Sequence, residues 1–224
     1  MLKCITLDFG GTLANGELNK RAFHIRLFKY VKNLGYKGTK VQFNRARNHM
    51  LKSLKEARRI NREIRLENLY PQLFLELMLH PEKEAINQIH KMYIQSFTSI
   101  LIPNVPEVLK YLRKKYKLAV ISNSMSDVPR HFINSTGIDK YFEAIVISRD
   151  IGIRKPDPEI FNYVLESLKI ESCEAIHVGD SLEHDVQGAK NAGMKSVWLK
   201  NDYEEITIKP DFIINSIDEL QSIL

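Results

Sequence analysis

Short apolar runs that stop at polar or glycine-bearing exits, separated by segments of helical period, constrain this chain more than any other feature. The runs fall at Lys3 to Asp8, Leu118 to Ser122, Ala144 to Ile147, Ala175 to Gly179 and Ser196 to Leu199, with Asp211 to Ile214 as a further edge. Apolar runs of this length predict strands, and their alternation with helices predicts an α/β fold built on a doubly wound parallel sheet. Helices are expected over Pro106 to Tyr116, Asp127 to Thr136, Pro158 to Leu168, Asp185 to Ala192 and Ile217 to Leu224, several closed by a glycine. Open sheets of this kind bind ligands beyond the carboxyl ends of their strands. The chemistry should therefore lie where the runs end.

Three exits and one helix start carry suitable groups. Asp8-Phe9-Gly10-Gly11-Thr12-Leu13 sets a carboxylate at a strand tip and follows it with two glycines, which let the backbone approach a phosphate or an ion closely. Asp8 can serve there as nucleophile or metal ligand, and Thr12 offers a hydroxyl. Ser122-Asn123-Ser124 ends the second run with groups that donate hydrogen bonds to phosphoryl oxygens. Arg154-Lys155-Pro156-Asp157-Pro158 places a cation just before a helix that Pro158 can begin. Gly179-Asp180-Ser181 with Asp185 five residues on, then Gly188-Ala189, completes the set. Each segment alone is equally compatible with ordinary loop chemistry.

In this order the four segments resemble the motifs of the haloacid dehalogenase-like hydrolase superfamily, and the resemblance spans the chain. It implies a Rossmann-like core from residues 1–15 and 101–224 and a helical cap from 16–100. It also implies a phosphatase that works through an aspartyl-phosphate on a small phosphorylated metabolite. Asp8 matches the family nucleophile and Lys155 the third-motif lysine; Ser122, with Asn123, Gly11 and Thr12, would bind the substrate phosphate. Mg²⁺ would be held by Asp8, the Gly10 carbonyl and Asp180, with Asp185 in support. One departure stands out: family phosphatases usually carry an aspartate two residues after the nucleophile, and this chain has Gly10. General acid–base catalysis is worth about 10²–10⁴-fold, so its loss slows but need not abolish turnover. Two alternatives stay open: a 2-haloacid dehalogenase-type hydrolase, or a weakened protein that binds phosphorylated ligands.

The insertion between the first two motifs reads as four helices: Asn19 to Leu34, Lys40 to about Arg65, Leu66 to Leu79 and Pro81 to Thr98. Phe23, Leu27, Val31 and Leu34 recur at helical spacing. Charge is its most unusual property. Between Asn19 and Arg65 fifteen basic residues face only Glu56 and Glu63, although the whole chain is +6. Such a field would steer an anionic substrate, with Arg58, Arg59, Arg62 and Arg65 as the stripe of interest; solvated helix faces are the plain reading. Few interleaved aromatics and no recognised motif argue against nucleic acid as a partner.

Composition agrees with a soluble intracellular protein, expected in the cytoplasm; a monomer or homodimer is expected. At 224 residues and 44% hydrophobic the chain can bury a substantial core. Cys4 and Cys173, its two cysteines, read as small buried hydrophobes, not as a disulfide pair. No apolar stretch reaches the roughly 18 residues a membrane span needs, and no signal segment opens the sequence. His177 and His184 read as packed or surface histidines, and Trp198 as core.

Overall fold

A computed structural model describes residues 1–80, 82–201, 205 and 207–224. In chain order the elements are β1 (Cys4–Leu7), β2 (Ala14–Leu18), α1 (Lys20–Asn33), α2 (Lys40–Arg59), α3 (Leu66–Glu76), α4 (Lys83–Ile94), β3 (Phe97–Leu101), α5 (Val105–Leu112), β4 (Lys117–Ser122), α6 (Val128–Thr136), β5 (Ala144–Ile147), α7 (Ser148–Ile151), α8 (Pro158–Leu168), β6 (Ala175–Gly179), α9 (Gly188–Asn191), β7 (Lys195–Leu199), β8 (Phe212–Ile214) and α10 (Leu220–Ile223). Six strands form one parallel sheet in the order β5-β4-β1-β6-β7-β8. The α/β architecture inferred from the strand rhythm is the one observed.

Every residue of β1 is buried, because helices cover the sheet on both sides. Successive side chains of a strand point to opposite faces, and the core divides accordingly. Ile5 and Leu7 pack with Val105, Val108 and Leu109 of α5. Cys4, with Ala119 and Ile121 of β4, packs with Phe161, Val164 and Leu165 of α8. β1 lies at the centre of the sheet with Leu7 level with Val120 on one side and Val178 on the other. The exits of β1, β4 and β6 therefore come out side by side.

The insertion differs from expectation at its edges. β2 and β3 pair antiparallel, Ala14 opposite Leu101 and Leu18 opposite Phe97, and frame the four helices. Thr98 is thus in a strand, and the last insert helix ends at Ile94; its expected start at Pro81 lies outside the described residues. α2 stops at Arg59 rather than Arg65, with Asn61 in the left-handed region at φ 54°. It begins on a capping box: Thr39 Oγ1 accepts from the Gln42 amide while Gln42 Oε1 accepts from the Thr39 amide at 2.8 Å. Phe23, Leu27, Val31, Phe43, Met50, Leu54, Tyr70, Leu73 and Ile89 join in a second hydrophobic cluster, separate from the two that flank the sheet. Among the described residues no helix is long and apolar enough to cross a membrane. Of the cysteines, Cys4 is buried as expected and Cys173 is exposed.

Candidate active site

Parallel pairing delivers the motif residues to one place. Asp8, Gly10, Ser122, Asn123, Lys155, Asp180 and Asp185 line a cavity of about 290 Å³ at the carboxyl ends of β1, β4 and β6. Lys155 is its centre. The side chain is 1% exposed, and its ammonium donates to Asp8 Oδ1 at 2.6 Å, Asp185 Oδ1 at 2.6 Å and the Ile121 carbonyl at 2.8 Å. An ammonium has three N–H donors, so all are engaged and Lys155 acts on the cavity through its charge. Asn123 sets its position: Oδ1 accepts from the Lys155 amide at 2.9 Å and Nδ2 donates to the Lys155 carbonyl at 3.0 Å. The Asn123 side-chain amide expected to bind substrate is therefore occupied with the lysine backbone.

Asp185 is held from three directions. Oδ1 also meets His177 Nε2 at 3.0 Å, and Oδ2 accepts from the Ser181 amide at 3.0 Å. His177 is wholly enclosed, with Nδ1 2.8 Å from Thr6 Oγ1 and its ring edge-on to Phe161. A histidine expected to be simple packing is thus a brace for Asp185. One signal for it is local, a polar ring inside an apolar strand; its place beside Thr6 is set by the strand pairing. Gly179 has no room for a side chain, since a Cβ there would lie 2.2 Å from Asp185 Cγ.

Asp180 approaches from the other side. A Cβ on Gly11, at φ 73°, would sit 2.1 Å from Asp180 Oδ2, so glycine is required twice over there. Trp198 Nε1 and Asn201 Nδ2 both donate to the Asp180 carbonyl, at 2.9 and 3.0 Å. Trp198 is core, as expected, and also an anchor. Oxygens of Asp8, Asp180 and Asp185 all lie within 4.8 Å of one another. Gly11 and Thr12 are not among the residues that line the cavity; the Thr12 hydroxyl is fully buried and has no hydrogen-bond partner among the described residues. His184, unexpected there, does line the cavity.

Electrostatics follow from crowding three carboxylates around one ammonium. Burial pushes the Asp8 carboxyl up to about 7, Asp185 and Asp180 add to the rise, and Lys155 opposes it. Burial works against the Lys155 charge as well, yet Asp185 and Asp8 outweigh it and hold the ammonium charged. Asp185 is also buried, but Lys155 and His177 keep it ionised far below the ordinary carboxylate range. With all four groups charged the cluster is net −2. Oxygen donors in that number and at that spacing suit a hard divalent cation.

A family described as haloacid dehalogenase-like hydrolase matches residues 5–199. The chain belongs to that family. As a hydrolase of this group it is similar to the glyceraldehyde 3-phosphate phosphatase of Pyrococcus furiosus, 29% identical over 100% of this chain and 93% of the relative. The pyrimidine 5'-nucleotidase YjjG of Escherichia coli is 30% identical, but over 61% of this chain and 63% of that one. The chain thus spans less than two thirds of that relative, and about half of the N-acylneuraminate-9-phosphatases it also resembles. Among solved structures, a phosphatase from Thermococcus onnurineus superposes with a TM-score of 0.64 at 27% identity, covering 99% of this chain and 97% of its own. A 2-haloacid dehalogenase from Pseudomonas syringae superposes with a TM-score of 0.76 at 24% identity, covering 100% and 98%, and shows the shared fold.

Proposed function

We propose that this hydrolase is a Mg²⁺-dependent phosphatase acting on a small phosphorylated metabolite through an aspartyl-phosphate. The observation that supports it most directly is the cluster itself: a buried aspartate at a strand tip, 2.6 Å from a satisfied lysine and within 4.8 Å of two further carboxylates. Asp185 has both oxygens committed to hydrogen bonds, so Asp8, Asp180 and the Gly10 carbonyl are the donors that would hold the ion. Bound there, Mg²⁺ would offset the cluster's negative charge and that of the phosphoryl oxygens. Full-length similarity to a phosphatase agrees with this reading.

In the first step an Asp8 oxygen attacks phosphorus while the bond to the leaving oxygen breaks, in line with the attack. Lys155 keeps Asp8 oriented and offsets negative charge; Ser122, at the end of β4, faces the same cavity and would donate to a phosphoryl oxygen. In the second step water attacks the aspartyl-phosphate and returns Asp8 as carboxylate. Gly10 brings no carboxylate to protonate the departing alkoxide, so that proton must come from solvent, substrate or another cavity group. This same gap favours the second reading, halide displacement by Asp8, which needs no acid there.

Phosphate release from a panel of sugar phosphates, nucleotides and acyl phosphates, with Mg²⁺ and with EDTA, tests both. Mg²⁺-dependent release that vanishes in Asp8→Asn supports the phosphatase. Halide release from 2-chloropropionate in EDTA, without phosphate release, would install the dehalogenase.

A further inference from the structure

The cavity over the strand exits has a larger neighbour that shares part of its wall. Both are lined by Gly16 and Phe97, and the second, about 1550 Å³, lies among the insert helices. The first space suits a phosphoryl group and a few atoms of its leaving group. The second is far larger than a three-carbon sugar phosphate needs.

Its lining has a definite chemistry. Lys20, Arg21, His24, Arg47, Lys55 and Arg58 face Glu17 as the acidic residue among the described lining groups. Arg58 is spoken for, since Glu63 accepts from its Nε at 3.1 Å and Nη2 at 3.0 Å. Arg47 makes no ion pair among the described residues. Among the described residues its Nη2 reaches only Asn48 Oδ1 at 3.3 Å, and its buried Nε has no hydrogen-bond partner. Tyr70, 1% exposed, lines the same cavity, and its hydroxyl too is without a partner. Donors buried without acceptors are rare in folded proteins because their desolvation goes uncompensated. Two in one basic cavity ask for an acceptor that brings negative charge.

We propose that this second cavity is a distal anion subsite, in which Arg47 and Tyr70 hold a carboxylate or phosphate at the far end of a substrate whose scissile phosphoryl group lies at Asp8. The assignment rests on the phosphatase reading and narrows it. The substrate class is a phosphate monoester with an extended leaving group that is part apolar and ends in a second anion. Phe23, Leu54, Tyr93 and Met125 supply the apolar wall along which the middle of such a molecule would lie. Burial and the neighbouring Arg47 and Lys20 hold His24 below its usual range, consistent with a concentrated positive field on that wall.

Calorimetric binding of phosphonates separates this from turnover, because they cannot be hydrolysed. The probes are alkylphosphonates of three to eight carbons, each compared with its ω-carboxy and ω-phosphono analogue, in Mg²⁺ at low salt. At one or more chain lengths the second anion should tighten binding by at least about tenfold, the size expected for a charge-assisted contact. Arg47→Gln should bring that ratio near one, and Tyr70→Phe should lower it. Arg47→Lys, which keeps the charge, should retain part of it and guards against a folding defect. The ω-carboxy and ω-phosphono arms show which anion the subsite takes. A ratio below about threefold at every length, or a ratio that Arg47→Gln leaves unchanged, overturns the proposal. No binding of any phosphonate by protein that releases phosphate from p-nitrophenyl phosphate also overturns it. Lack of phosphate release from every ester would instead count against the phosphatase reading.

Discussion

The crevice of the sheet and the helical insert handle charge in opposite ways. In the crevice three carboxylates crowd one lysine whose three donors are all used, while His177 fixes the Asp185 carboxylate and Asn123 and Trp198 fix the backbones of Lys155 and Asp180. In the insert the excess is positive and spread along helices. The difference teaches where each kind of information sits. The crevice concentrates its charge in a few residues at one end of the sheet, whereas the insert spreads its charge over the wall of a much larger cavity.

The stripe at the end of α2 belongs to neither pattern. Arg58 pairs with buried Glu63, Arg62 with Glu159 at 3.8 Å, and Arg65 donates to the carbonyls of Arg149 and Asp150. Backbone bonds join them: Glu63 amide to the Gly152 carbonyl, Arg154 amide to the Asn61 carbonyl, Leu66 amide to the Met125 carbonyl. The segment is a strap from the insert to the sheet, and Arg58, Arg62 and Arg65 each have a partner in it.

The sharpest break of the contrast is at Asp8. Asp8→Asn should lower phosphate release by at least about 10⁴-fold, because the amide cannot attack phosphorus. Thermal stability should hold or rise. A carboxyl raised from 3.8 in the unfolded chain to about 7 in the folded one binds protons more tightly when folded, so ionising it costs stability. In metal-free protein that stability is present below pH 4 and is lost as pH climbs through 7. The substitution should remove this falling limb from a plot of Tm against pH. An unchanged activity in protein free of host phosphatase would end the mechanism.

How much of this was visible beforehand divides along the same line. Asp8, Ser122 and Asp180 stand at strand exits, where a local pattern of apolar run plus polar stop marks them; Lys155 is marked by the helix start at Pro158 and Asp185 by its place five residues after Asp180, and the structure brings all five to one cavity. Thr12 is the residue whose surroundings the sequence shows least, because a turn's direction depends on its dihedrals: Gly11 stands at φ 73° and the Thr12 side chain is buried. β2 and β3 escaped notice because Asn15, Gly16 and Glu17 on one side and Thr98 and Ser99 on the other lack an apolar face; their pairing is a long-range fact. The early end of α2 has no glycine or proline to announce it. The burial of Glu63 depends on Arg58, Ser148 and Arg154, the last two of them far away in sequence.

Metal dependence tests the charge balance of the crevice. EDTA should reduce turnover by roughly 10²-fold or more, and Asp180→Ala should raise the Mg²⁺ needed for half-maximal rate, since a net −2 cluster must bind substrate that is itself anionic. Mg²⁺ should also raise the Tm of the wild type, by mass action on the folded state. Full activity in EDTA would show that Lys155 alone suffices.

The strap gives the next largest effect. Glu63→Gln leaves Arg58 and Arg154 facing each other without the carboxylate between them, and Ser148 Oγ, 3.2 Å from Glu63 Oε2, without a charged acceptor. With Arg58 partly exposed, a destabilisation of about 1–3 kcal/mol is expected in urea unfolding. KM should rise while kcat for a bound substrate changes less. Arg62→Gln, whose partner is exposed, should alter stability by under about 1 kcal/mol. If Arg62→Gln instead weakens substrate in a salt-dependent way, the stripe steers anions after all.

The smallest effect, and the most informative about mechanism, turns on Gly10. Its backbone lies outside the left-handed region, it is exposed, and a Cβ would meet no atom within 4 Å. The position therefore accepts a side chain without strain, unlike Gly11 beside it. Gly10→Asp places a carboxyl two residues after the nucleophile, where it can protonate a departing alkoxide and later take a proton from water. Nitrophenolate leaves readily unprotonated, whereas an alkoxide does not, so kcat should rise for an alkyl phosphate by up to about tenfold and hardly at all for p-nitrophenyl phosphate. The new carboxylate also adds to a cluster that is already net −2, which limits the gain and should raise the Mg²⁺ requirement's sensitivity to salt. A folded Gly10→Asp variant with no gain on any alkyl phosphate would mean that proton transfer is already served from within the cavity. His184 would then be the group to replace next, because it lines that space and its buried Nδ1 has no partner.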